Sequence, residues 1–186
     1  MLLSKENAGL LVIDVQSALT PLVLKVENFI NRCHWTMKLA EALNVPTLVT
    51  EHYPKGLGGT VAPLNAAKLA SKPMEKVHFS CVQDAAILKH IKSMNVTQWV
   101  LIGIETHVCV LQTAIDLLAQ GYGVYVVVDA VSSRTELDHK YGLKRMKQHG
   151  AEMVTSEMVF FEWVKQAGTP LFKSLSQTFL RSEEWK

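Results

Sequence analysis

The chain is 186 residues long, 48% of them apolar, with a net charge of +2. That length suits one domain with a sizeable core, and that composition excludes a disordered chain. The nearly balanced charge has no dense basic patch, so nothing calls for a nucleic-acid or membrane partner. Three cysteines (Cys33, Cys81, Cys109) are too few for a disulfide framework, and their spacing gives no CxxC metal pair.

Met1 to Glu6 lacks the apolar core of a secretory signal, and no apolar run approaches the length of a membrane span. The expected location is the cytoplasm, with a mitochondrial destination left open. Gly9 to Val15 is a continuous apolar run broken by Asp14 near its end, the pattern of a strand buried on both faces. Asn28 to Leu43 has a helical apolar face, Pro46 ends it, and Thr47 to Thr50 reads as a second strand. The Gly- and Pro-rich stretch from Glu51 to Pro63 reads as a loop that lines something. Glu75 to Phe79 is a weak third strand, and Asp84 to Met94 a helix.

Gln98 to Ile104 is a strong fourth strand, followed by a helix from Thr106 to Gln120. Gly121 and Gly123 punctuate its end, and Gly123 to Asp129 is a fifth strand. A helix over His139 to Gln148, a short sixth strand at Glu152 to Thr155 and a largely helical tail from Ser156 complete the chain. This alternation predicts an α/β fold: a three-layer α-β-α doubly wound sheet of six mostly parallel strands. The common order for such a sheet is 3-2-1-4-5-6, with ligands beyond the carboxyl ends of strands 1 and 4. A single domain over residues 1–186 is expected.

Two residues stand at that switch point: Asp14 after strand 1 and Cys109 in the first turn after strand 4. Lys76, near strand 3, is within reach of the crevice edge. A thiol is a good nucleophile only as thiolate, which a helix N-terminus and a nearby ammonium both favour. A carboxylate accepts the thiol proton, and backbone N–H groups at a helix start suit an oxyanion. Each residue also has a plainer reading: Cys109 as a small core hydrophobe, Asp14 as a cap for a loop, Lys76 as a solvated surface lysine.

Asp14-Val15-Gln16 after an apolar strand, Lys76 followed by Phe79-Ser80, and Gly103-Ile104-Glu105-Thr106-His107-Val108-Cys109 occur in order. Together they resemble the isochorismatase-like cysteine hydrolases, which include nicotinamidases, over about Ala8 to Trp163. Thr50 to Gly58 and Val131 to Arg134 resemble a compact, largely uncharacterised subgroup. The resemblance implies Asp14 as general base, Lys76 as positioning ammonium and Cys109 as nucleophile. It also implies a non-proline cis peptide at Ile104–Glu105 and an oxyanion hole from the N–H groups of Glu105 and Cys109. The reaction implied is cleavage of a small-molecule amide through a thioester.

Gln16, Tyr53 and His107 are substrate-pocket candidates by position, as is Glu105. Tyr53 also reads as a packing aromatic, His107 as a surface residue, and Glu51 as facing the crevice or pairing nearby. Metal-binding relatives carry Asp-x-His and a further His after strand 2, where this chain has Thr50-Glu51-His52-Tyr53. No metal and no cofactor are therefore expected, and nicotinamide is disfavoured. Retention of Cys109 argues against isochorismate itself. The expected partners are a small-molecule substrate and further copies of the chain in a homo-oligomer. The competing readings are a catalytically silent oligomeric scaffold and a nuclease.

Overall fold

In a computed structural model, which describes residues 1–65, 72–182 and 185, six strands form one sheet. They are β1 (Ala8–Ile13), β2 (Thr47–His52), β3 (Met74–Lys76), β4 (Gln98–Ile104), β5 (Gly123–Ser132) and β6 (Glu152–Val154). Their order is β3-β2-β1-β4-β5-β6, and every neighbouring pair is parallel. The helices are α1 (Val26–Ala42), α2 (Pro54–Leu57), α3 (Ala62–Asn65), α4 (Ala85–Ser93), α5 (Leu111–Ala119), α6 (Glu136–Gln148), α7 (Ser156–Val164) and α8 (Pro170–Phe179).

The apolar run of β1 is buried at all its residues because both sheet faces are covered. Side chains alternate along a strand, so Leu10 and Val12 join one core while Leu11 and Ile13 join the other. The first core brings in Trp35 and Leu39 of α1, Phe160 and Trp163 of α7, and Phe179 of α8. Trp35 meets Phe179 edge-on, ring centroids 5.4 Å apart, and its indole N–H donates to the Phe179 carbonyl at 3.0 Å. The second core packs Ile87 and Ile91 of α4, Leu117 of α5 and Met146 of α6 against the opposite face.

Local chemistry sets several boundaries. Asp84 caps α4 by accepting from the N–H groups of Ala86 and Ile87. α6 starts three residues before the expected His139, because Thr135 caps it through the Asp138 N–H and Glu136 and Asp138 complement its first turn. The stretch expected as one loop from Glu51 holds the end of β2 and the short helices α2 and α3. β5 continues to Ser132, past the expected Asp129, with a register shift between Leu101 and Gly103 of its partner β4. β3 stops at Lys76, and residues 77–79 leave the sheet with Val77 and Phe79 exposed. α7 and α8 make the tail helical; residues 183, 184 and 186, part of that expectation, lie outside the described residues.

Candidate functional site

Asp14 directly follows β1 at the carboxyl edge, in the left-handed region with φ of 52° that aspartate tolerates better than most residues. Its parallel register sets Thr50, near the end of β2, beside Ile13. Lys76 closes the next strand over, and Cys109 lies in a π-helical turn (Thr106–Val110) straight after β4. The end of β1, the strands β2 and β3 and the turn after β4 thus converge on one carboxylate.

Asp14 is fully buried, with Lys76 only 2% and Cys109 7% exposed. Lys76 Nζ lies 2.6 Å from Asp14 Oδ2 and also donates to the carbonyls of His78 and Phe79, each at 3.1 Å. All three ammonium protons are therefore used. Lys76 is not the solvated surface lysine it resembles in isolation, because the chain turns at residues 77–79 to wrap its amino group. Burial alone would lower its pKa; Asp14, then Cys81 and Cys109, more than offset this and raise it.

Thr50 donates from Oγ1 to Asp14 Oδ1 at 2.8 Å, and the charge of the same carboxylate acts on the Cys109 thiol. Burial, reinforced by the Asp14 charge, holds the Cys109 thiol well above its usual pKa, against the opposing pull of Lys76. The helix start and ammonium expected to favour thiolate are outweighed in the resting site: Cys109 rests as a neutral thiol beside a base. Cys81 is a second fully buried thiol of this cluster, its Sγ 3.7 Å from Thr50 Oγ1 and its N–H donating to Thr113 Oγ1 at 3.0 Å. Burial, then Asp14, pushes it up to about 11.

The other expected pocket residues divide. Gln16 is fully buried and its amide is spent on backbone: Oε1 accepts from His52 N–H at 2.7 Å, and Nε2 donates to the carbonyls of His52 and Gly58 at 3.0 and 2.7 Å. It staples the loop after β2 and has no donor left for a ligand. Tyr53 is 55% exposed at the start of α2 and its N–H donates to the Lys76 carbonyl. His107 Nδ1 sits 3.0 Å from Ser133 Oγ. The Glu105 side chain pairs with the Arg134 guanidinium at 3.0 Å, and the Ile104–Glu105 peptide is cis. Glu51 turns to the N–H and hydroxyl of Thr60, both at 2.7 Å.

Thr50 and Cys81 are members of the cluster that sequence reasoning passed over. The available signal was modest: Thr50 is the polar residue after Leu48-Val49, and strand order sets it beside the residue before Asp14. Among the described residues no three His, Cys, Asp or Glu side chains form a metal-holding group, and no helix is long and apolar enough to cross a membrane. A cavity of about 620 Å³, lined by Lys25, Phe29, Arg32, Asp129 and His139 among others, lies apart from the cluster: neither Asp14, Lys76 nor Cys109 borders it.

Residues 8–158 match the isochorismatase domain model. Isochorismatase domain-containing protein 2A of Mus musculus is 39% identical over 173 residues, covering 92% of this chain and 82% of that protein. Among solved structures, the MAR1 ribonuclease from Caenorhabditis elegans is 36% identical with a TM-score of 0.90, covering 99% of this chain and 94% of its own. The YcaC gene product of Escherichia coli, described as an octameric hydrolase of unknown specificity, is 25% identical with a TM-score of 0.90, covering 97% of this chain and 92% of its own.

Proposed function

The chain belongs to the isochorismatase family, and from that premise we propose that it is a hydrolase that cleaves a small-molecule amide through a Cys109 thioester. The observation that carries this reading is the buried Asp14 carboxylate paired with the Lys76 ammonium, its charge acting on the Cys109 thiol. A neutral thiol beside a carboxylate becomes a nucleophile by giving up its proton as it attacks.

In the proposed cycle the Cys109 sulfur adds to the amide carbonyl carbon while its proton passes to Asp14. The N–H groups of Glu105 and Cys109 hold the oxyanion. Collapse of the adduct breaks the C–N bond, and the leaving nitrogen takes the proton from Asp14. Water then attacks the thioester, giving one proton to Asp14, and the acid leaves as the sulfur recovers that proton. Lys76 stays protonated throughout, holding Asp14 oriented and charged in the resting enzyme. Gln16 acts on the loop rather than on substrate, while Tyr53 and His107 remain the side chains proposed to meet it. The reading invokes no metal, no cofactor, no nucleic acid and no membrane, and places the protein in the cytoplasm.

The test is a screen of small amides with ammonia detection. A true substrate should lose all turnover in Cys109→Ala; turnover that survives would sink the assignment. A ribonuclease reading is favoured only by the names of three solved relatives, from Caenorhabditis elegans, Leishmania donovani and Leishmania major. RNA cleavage that survives Cys109→Ala would put that reading in place of this one. A homo-oligomer is also proposed, on the octameric YcaC neighbour, and light scattering on the eluting protein measures it directly.

A further inference from the structure

We propose that Thr50, backed by Cys81, is a positioning residue that fixes the Asp14 carboxylate for proton transfer from Cys109; the inference rests on the Cys109 hydrolase reading. The argument is a count of protons. A threonine hydroxyl carries one hydrogen, and an ionised carboxylate only accepts. Asp14 faces the Lys76 ammonium at 2.6 Å and is the charged partner of that pair. The 2.8 Å contact between Thr50 Oγ1 and Asp14 Oδ1 therefore uses the hydroxyl proton.

That leaves Thr50 nothing to give Cys81, whose Sγ lies 3.7 Å away. The thiol must be the donor, and the chain of bonds has one direction: Cys81 S–H to Thr50 O–H to Asp14. Cys81 is suited to this role. Its pKa is raised to about 11, so it keeps its proton, and its N–H is tied to Thr113 one helical turn beyond Cys109. Donors arranged in series polarise one another, which strengthens the last bond to the carboxylate.

Each Asp14 oxygen thus carries its own donor, Thr50 on Oδ1 and Lys76 on Oδ2, and the carboxylate cannot turn without losing one of them. Its remaining lone-pair capacity is what this proposal leaves for the proton of Cys109.

The experiment measures the rate of Cys109 alkylation by iodoacetamide against pH in the full chain, read by mass spectrometry of the Cys109 peptide. Thr50→Val keeps the shape and removes the donor. A carboxylate stripped of a donor holds its proton more tightly, so the low-pH limb of the profile should move up, with a loss of about tenfold on that limb and little change above it. Thr50→Ser should restore the profile. Cys81→Ala should shift the limb the same way by less, and Cys81→Ser should leave it in place. A Thr50→Val rate that is unchanged, or lowered equally at every pH, overturns the positioning role, as does failure of Thr50→Ser to restore the limb. Asp14→Asn separates this from the reading beneath it: unchanged Cys109 reactivity in Asp14→Asn overturns the hydrolase site itself, whereas a slowed Asp14→Asn with a normal Thr50→Val overturns the role of Thr50 alone.

Discussion

Lys76 Nζ and Asp14 Oδ2 stand 2.6 Å apart with both side chains closed to solvent. A buried pair owes its geometry to mutual need, since either charge alone would be uncompensated. Lys76→Met leaves Asp14 charged and buried and should cost about 3–5 kcal/mol of stability. Adding Asp14→Asn removes the stranded charge, so the double variant should be more stable than Lys76→Met alone. Urea unfolding midpoints of the two variants check this; additive losses would show that the pair is not coupled.

Gln16 holds three backbone groups of the loop after β2, and water cannot replace it in a fully buried position. Gln16→Ala should destabilise by about 3 kcal/mol, from three part-buried backbone groups left unsatisfied at about 1 kcal/mol each, the low end of the range for such groups. Gln16→Glu should be worse, because a carboxylate would face the His52 and Gly58 carbonyls. Thermal midpoints give the loss, and limited proteolysis should cut first within residues 53–60.

Gly103 lies opposite Ile13 in the sheet with φ of 121°, and a Cβ there would come 2.1 Å from the Ile13 carbonyl oxygen. Backbone cannot swing aside as a side chain does. Gly103→Ala should therefore cost more than about 4 kcal/mol, the range of severe single substitutions. A soluble variant with a wild-type midpoint would contradict this close approach.

Cys33, Cys81 and Cys109 are all buried with raised pKa values, burial being the largest cause in each. The folded chain keeps these protons while the unfolded chain, with thiols near 9.0, releases them. Above pH 9 the unfolded state binds fewer protons, so stability falls as pH rises. At pH 10 each thiol should contribute a loss of about 1.4 kcal/mol. That corresponds to roughly 4 °C in Tm for a chain of this size. Lys76, with its raised pKa, keeps its own stabilising charge through this window and loses it only above 10.5. Thermal scans from pH 8 to 10 under reducing conditions should slope downward, and Cys81→Ala should flatten the slope.

What the sequence determined by itself is the architecture and the address of the site. The apolar runs of β1 and β4 read as doubly buried strands because that pattern is local and needs no partner to be visible. Strand alternation then set the sheet class and brought Asp14 and Cys109 to one switch point. The helix starts at Asp84 and Thr135 were equally local signals, although the Thr135 cap was missed. What only the tertiary structure decided is which groups touch. Lys76 reads as a surface lysine until the turn at residues 77–79 wraps it, and Gln16 reads as a pocket residue until the loop path hands its amide three backbone partners. Thr50 carries only a modest sequence mark of its place in the cluster and Cys81 none, because that place depends on strand register and on a turn that arrives from another part of the chain. Hydrogen-bond partners are chosen by distances of a fraction of an ångström, and those are fixed only when every element has packed.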